Sequence, residues 1–169
     1  MSQPRVLVDS TRLGGTRLQQ DPERAWAWLG WFGAVITLVA LGDLALAWYP
    51  LNLGVPEWEF GTIAASFAGL PLVTLGLAAL LGSMMARGRR IGVQVVAWLM
   101  LSLGLWVLAA LLVFALDIPM ALSVVSPEVA VGLKKAIVKT LMLGVVFSAG
   151  HVIAAVAALR HVTGARSRR

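Results

Sequence analysis

The sequence predicts an all-α integral membrane protein, a bundle of four transmembrane helices with the N and C termini on the cytoplasmic side. Three observations predict this fold: an apolar composition, four long apolar stretches and an uneven distribution of basic residues. Of the 169 residues, 59% are hydrophobic and 13% are charged, and the mean hydropathy is +0.86. A soluble fold of this size cannot bury so much apolar surface. Transmembrane strands would alternate in polarity, and these stretches do not.

Four stretches are long enough to cross a bilayer. A helix rises about 1.5 Å per residue and the hydrocarbon is roughly 30 Å thick, so a span needs about 20 apolar residues. We predict spans at about 26–48, 60–85, 91–116 and 131–159, which together form a transmembrane domain over residues 26–159. Residues 1–25 and 160–169 are predicted to be basic cytoplasmic tails.

The orientation follows from the charges. Eleven of the 14 lysine and arginine residues fall in the N-terminal segment, the connection between helices 2 and 3, and the C-terminal tail. The opposite side carries three lysines and five of the eight acidic residues. Because basic residues favour the cytoplasmic side, the sequence predicts a multi-pass protein of the bacterial cytoplasmic (inner) membrane with both termini inside.

Helix 1 is predicted to begin at Asp21-Pro22-Glu23, since aspartate caps free amide groups and proline fits a first turn. Near its outer end lies Asp43, and an aspartate at mid-membrane costs about 2.5–3.5 kcal/mol on insertion scales. Lys139 of helix 4 has a similar predicted depth. An Asp43–Lys139 interhelical pair is one hypothesis; the alternative is that both side chains reach water separately.

Helices 2 and 3 should form an antiparallel hairpin because only residues 86–90 connect them. In helix 2, Pro71 removes one backbone hydrogen bond and predicts a kink, with Ser66 or Thr74 available to satisfy the freed carbonyl of Phe67. Helix 3 carries Trp98 and Trp106 eight residues apart, and we predict that both face lipid or a larger partner.

Helix 4 has a second candidate start at Ser126-Pro127-Glu128, which would carry its first turns outside the hydrocarbon. His151 is the only histidine inside the predicted spans. Its functional interpretation is axial ligation of a haem or chlorophyll-type pigment. The other interpretation, which we expect, is a neutral histidine that forms a hydrogen bond across a helix interface. No intrinsic cofactor or metal is predicted, and bound lipids are expected.

Small residues recur at spacings that permit close helix packing. The predicted contact sets are Gly30/Ala34, Gly61/Ala65/Gly69, Gly144/Ser148 and Ala154/Ala158.

Residues 48–61, WYPLNLGVPEWEFG, are followed by GLPLVTLGL at residues 69–77. These two segments resemble the first loop and second helix of small bacterial four-span membrane proteins of the HpsJ-like kind. The resemblance covers about 30 residues and implies a four-helix membrane protein with a structured outer loop. It implies no activity.

The sequence contains no cysteine, phosphate-binding loop, zinc triad or nucleophile–base set, so no enzymatic activity is predicted. The basic residues flank spans and form no stripe for nucleic acid. We therefore expect a non-catalytic accessory subunit of a larger membrane complex, of the energy-transducing (photosynthetic or respiratory) class, whose partners are lipids and other integral membrane subunits. The alternative is a small oligomeric transporter or channel.

Overall fold

The computed structural model describes residues 10–52 and 54–164, with side chains from Pro22 onward except those of Pro56 and Glu57. It contains four helices: α1 (Ser10–Ala47), α2 (Pro56–Ala86), α3 (Arg90–Ser123) and α4 (Pro127–Gly164). The described residues form no strand. Each helix includes a segment long and apolar enough to cross a membrane, which confirms the predicted fold class.

The helices extend beyond the predicted spans. α1 continues through Pro22 to Ser10, so Asp21-Pro22-Glu23 is not its start. Much of the predicted N-terminal tail is therefore helical. Residues 1–9 and 165–169 of the two predicted tails lie outside the described residues. Proline removes only one hydrogen bond, and Leu18, Gln19 and Gln20 before it favour helix. α4 begins at Pro127, as the Ser126-Pro127-Glu128 motif predicts.

A tight turn joins α2 and α3 as an antiparallel hairpin. Gly88 has a left-handed φ of 63°, which glycine adopts without steric conflict. The backbone N–H of Gly88 donates to Met85 O at 3.0 Å and that of Arg89 donates to Met84 O at 2.9 Å. This pair of bonds is a Schellman motif, which ends α2 and directs the chain back along the bundle.

α2 lies at the centre of the bundle. It packs against α1, α3 and α4, and α3 packs closely along α4. By backbone proximity, α1 contacts α2 alone among the other helices. The described chain is therefore a three-helix core of α2, α3 and α4, with α1 attached along one side of α2.

The charges divide the bundle into two ends. Arg24, Arg87, Arg90 and Arg160 lie at the end where α1 starts its apolar segment, α2 meets α3 and α4 finishes. We call this the basic end. The other end, which carries Trp48, Glu59, Asp117 and Glu128, is the distal end.

Three apolar clusters fill the core from one end to the other. The distal cluster centres on Phe67, Val107 and Phe114, the middle one on Val73 and Met100, and the third, at the basic end, on Ala97 and Ala158. The large buried side chains are concentrated in the distal half of the bundle, where three of the four helices meet.

Candidate functional sites

His151 occupies a closed polar position between α4 and α2. Its side chain is only 1% exposed. Nδ1 lies 2.6 Å from the backbone carbonyl of Phe147 on the same helix, and Nε2 lies 3.3 Å from Thr74 Oγ1 on α2. Because a carbonyl only accepts hydrogen bonds, Nδ1 carries the proton. In a neutral ring Nε2 can only accept, and the single proton of the Thr74 hydroxyl is shared between Nε2 and the carbonyl of Leu70, which lies 2.8 Å from Thr74 Oγ1.

The same geometry bears on cofactor binding. A ligated histidine needs one free ring nitrogen facing an open volume. Here both nitrogens face protein atoms, and a Cβ placed on Gly104 of α3 would lie 3.2 Å from His151 Cβ. Haem or pigment ligation by His151 would require loss of the Thr74 contact and separation of α2 from α4, so the geometry favours the interhelical hydrogen bond.

A glycine seam joins α1 to α2. A Cβ on Gly33 would lie 2.8 Å from the carbonyl oxygen of Gly76, and a Cβ on Gly76 would lie 2.8 Å from the backbone nitrogen of Thr37. Further along, Ser83 Oγ donates to the carbonyl of Trp26 at 2.6 Å. We call Gly30, Gly33, Thr37, Gly76 and Ser83 the α1–α2 seam. Backbones approach this closely only where side chains are small.

The seam differs from the small-residue sets that the sequence predicted. Gly30 belongs to it, whereas a Cβ on Gly61 or Gly69 would meet no atom within 4 Å. The prediction for α4 was better, because Gly144 packs against Phe67 and Leu111, and Ser148 Oγ donates to Gly104 O at 2.9 Å. The spacing identified close packing but not which helix is the neighbour.

The hypothetical Asp43–Lys139 pair does not form, and both side chains are exposed, which agrees with the alternative that each reaches water separately. Asp43 is exposed at the edge of a small crevice between α1 and α2, beside Ala65 and Gly69. Lys139 is exposed on the outward surface of α4 with Lys134 and Lys135. α1 and α4 are not neighbours, so similar depth does not bring these two side chains together.

The prediction for helix 3 is right for one tryptophan and wrong for the other. Trp98 is 59% exposed, whereas Trp106 is half-buried and packs edge-on against Trp48 with ring centroids 5.6 Å apart. Eight residues at 100° each leave the two side chains about 80° apart around a helix. Trp106 therefore faces the bundle while Trp98 faces outward.

An aromatic cluster at the distal end was not predicted. Trp48 also contacts Trp58 edge-on at 5.8 Å, and its Nε1–H donates to Ser66 Oγ at 2.9 Å. Phe60 stacks on Phe114 at 4.5 Å. Trp58 lies outside the predicted span 60–85 but belongs to α2. Trp48, which directly follows α1, contacts both α2 and α3. The aromatic residues within 48–60 could have indicated this cluster from the sequence.

Pro71 lies inside a continuous α2. The hydroxyls proposed to satisfy the carbonyl of Phe67 bind elsewhere, because Ser66 Oγ donates to Thr62 O at 2.7 Å and Thr74 Oγ1 lies 2.8 Å from Leu70 O. That part of the prediction is wrong, since hydroxyls in a helix reach the carbonyl four residues before them.

Asp117 marks a pocket that the sequence did not predict. The pocket has a volume of about 210 Å³ and lies at the distal end between α2, α3 and α4. Its lining residues are Phe60, Asp117, Met120, Ala121, Val124, Val125 and Leu133. The Oδ2 atom of Asp117 is sealed from the surface and has no hydrogen-bond partner. The predicted third span ends at residue 116, just before Asp117, but the helix continues to Ser123.

Three further hydroxyls within the apolar zone bind helix backbones. The hydroxyls of Thr37, Ser83 and Ser148 each donate to a backbone carbonyl, as membrane-embedded polar groups must. Within residues 10–52 and 54–164, no group of three or more His, Asp or Glu side chains is placed to hold a metal ion.

Comparisons of the chain with protein-family models, curated proteins and solved structures found no match. The resemblance to HpsJ-like proteins therefore stays a prediction.

Proposed function

We propose that this chain is a non-catalytic accessory subunit of a larger membrane protein complex and that it joins its partners through its helices. The observation that carries this proposal is the apolar surface of the distal end. The exposed apolar side chains there that lie outside the predicted spans are Met120, Val124 and Val129.

The length of α3 carries Met120 and Val124, at its distal end, past the hydrocarbon. Its 34 residues correspond to about 51 Å, which still projects about 39 Å at the steepest usual tilt of about 40°. The hydrocarbon is roughly 30 Å thick. Since Arg90 begins α3 at the basic end, the excess length lies at the distal end.

Apolar side chains beyond the hydrocarbon are unfavourable unless something covers them. Burying a valine, leucine or methionine contributes about 1.5–3 kcal/mol, and Val124 is 72% exposed. Lipid tails cover the outward residues of the middle of the bundle but do not reach this surface. A neighbouring protein can cover this surface. An accessory subunit therefore explains the exposed apolar side chains of the distal end better than a solitary bundle.

α1 gives independent support. It contacts only α2 by backbone proximity, and its outward face is strongly apolar with Trp28, Trp31, Phe32 and Leu38 exposed. A helix held along one side leaves most of its circumference for a neighbouring subunit.

The proposal includes the bacterial inner membrane as location, with both termini cytoplasmic, as the charge distribution predicts. The energy-transducing class of the host complex stays a prediction from the sequence. A transporter is less favoured because the hydroxyls described above bind helix backbones rather than lining a path.

Photo-crosslinking tests the proposal directly. A photo-reactive amino acid in place of Val124, at the distal end, should give adducts with one or a few distinct membrane proteins when the chain is expressed at its native level. The matched control replaces Ile153, which is equally exposed on α4 but lies within the predicted hydrocarbon zone, and should give mainly lipid adducts. Lipid adducts alone at both positions would contradict the proposal.

A further inference from the structure

A groove on the outward face of α4 combines lysine side chains with apolar ones. It has a volume of about 610 Å³, and the described residues that line it are Lys134, Lys135, Val138, Lys139, Met142 and Leu143. All three lysines of the chain lie in this groove. No acidic side chain is among the described residues of the lining. The lysine groove therefore offers concentrated positive charge beside an apolar surface.

The helix places these two kinds of side chain at different depths. Arg160 lies at the basic end of α4, and about 31 Å of helix separates it from Lys139, which matches the roughly 30 Å thickness of the hydrocarbon. Lys135 lies about 6 Å further towards the distal end, and Met142 lies about 4.5 Å further into the membrane. We therefore expect the ammonium groups at the level of the lipid headgroups, which their flexible stems help them reach. The apolar part of the groove lies at the level of the acyl chains.

The lysine groove is accessible from outside the bundle. The three lysines are exposed, and Val138 and Met142 are 56% and 63% exposed. Val129, on the distal surface proposed to contact a partner, lies about 120° around α4 from Lys135. The groove is therefore a separate surface, and its occupant does not depend on the proposed function.

The arrangement of charge and apolar surface limits the occupant. A lysine ammonium binds phosphate as a compact point charge. A soluble anion would leave the apolar part of the groove uncovered, and an uncharged acyl chain would not interact with the ammonium groups. A phospholipid of net negative charge meets both requirements, because its phosphate faces the lysines while an acyl chain lies along Val138 and Met142. We propose that the lysine groove binds an anionic phospholipid, whose phosphate is held by Lys134, Lys135 and Lys139.

Fluorescence quenching in vesicles tests the proposal at the groove itself. Because the native chain has no cysteine, Met142→Cys can carry a single fluorescent label. The full-length protein is reconstituted in phosphatidylcholine vesicles that contain, in both leaflets, a minor fraction of lipid brominated on its acyl chains, either phosphatidylglycerol or phosphatidylcholine. Quenching should show that phosphatidylglycerol binds at least about fivefold more tightly than phosphatidylcholine, the effect expected of one lysine near a membrane surface.

The matched control carries the label at Leu41→Cys on α1. Leu41 is also exposed, and it lies about 26 Å along the helix from Arg24, compared with about 27 Å between Met142 and Arg160. No lysine lies on α1. The two brominated lipids should therefore quench the label at this position equally.

Variants of the lysines separate the effect of charge from an effect on folding. In the Met142→Cys protein, the combined substitutions Lys134→Gln, Lys135→Gln and Lys139→Gln should remove the preference for phosphatidylglycerol. The corresponding three arginine substitutions keep the charge and should keep the preference.

Several results would overturn the proposal. They are equal quenching of the label at position 142 by the two lipids, a preference that survives the glutamine substitutions, its loss in the arginine variant, or the same preference at position 41. Quenching by neither lipid at position 142 would mean that a second copy of the chain covers the groove, and it would also overturn the proposal.

Discussion

Gly76 is the residue at which one added methyl group should disturb α1–α2 packing most. A Cβ there would contact Thr37 Oγ1 and lie 2.8 Å from the Thr37 backbone nitrogen. Because backbone atoms cannot move aside cheaply, Gly76→Ala should destabilise the bundle by about 1–3 kcal/mol. The measurement is reversible unfolding in mixed micelles.

Two glycines on the same helices provide matched controls. A Cβ on Gly42 of α1 or Gly82 of α2 would meet no atom within 4 Å. Gly42→Ala and Gly82→Ala should leave stability unchanged or raise it slightly, since alanine favours helix by about 1 kcal/mol over glycine. Equal stability of Gly76→Ala and these two variants would mean that α1 and α2 do not approach closely at Gly76.

His151 and Thr74 should be energetically coupled. We expect the double mutant of His151→Leu and Thr74→Val to lose less stability than the two single mutants together, with a coupling of about 0.6 kcal/mol and at most about 1.7, as for other hydrogen bonds between membrane helices. His151→Leu with Thr163→Val serves as the control, because Thr163 bonds only to carbonyls of its own helix. Strict additivity for His151 and Thr74 would exclude the bond.

At the scale of helices, the attachment of α1 to α2 can be tested by cysteine pairing, because the native chain has no cysteine. A Cβ on Gly30 would lie 3.2 Å from Ser83 Cβ, close to the range of about 3.5–4.5 Å in disulfides. Gly30→Cys with Ser83→Cys should crosslink on oxidation. Asp43→Cys with Lys139→Cys, on α1 and α4, should not. The reverse pattern would restore the rejected helix 1–helix 4 contact.

The sequence predicts the number and type of the helices because bilayer thickness imposes a minimum length and composition on each span. It does not predict which helix faces which. Asp43 and Lys139 illustrate the gap, since charge and depth are readable from the chain but the angle around each helix and the identity of its neighbour depend on packing. The close contact of Gly76 with α1 was not predicted for the same reason.

The Asp117 pocket was missed because the local signal suggested a different structure. An acidic residue and Pro119 interrupt an apolar stretch, which usually indicates a helix end. In the structure, Ile118 and Leu122 pack against the distal core cluster and the helix continues through Pro119. Tertiary packing thus overrides the local signal and places Asp117 inside α3, at the edge of the pocket.

For the whole molecule, the predicted orientation can be tested with one cysteine at each end. Arg89→Cys lies in the turn between α2 and α3, and Ser126→Cys lies between α3 and α4; both positions are exposed. In intact cells, a membrane-impermeant maleimide should label the cysteine at 126 and not the one at 89. Labelling at 89 alone would place the basic end outside.

Native mass spectrometry of the chain, tagged at its native locus and extracted in mild detergent, tests whether the bundle is part of a larger membrane complex. We predict that the 17.9 kDa chain is released from particles that contain other integral membrane subunits, in fixed stoichiometry. Particles whose protein mass is only 17.9 kDa or an integral multiple of it would contradict the account.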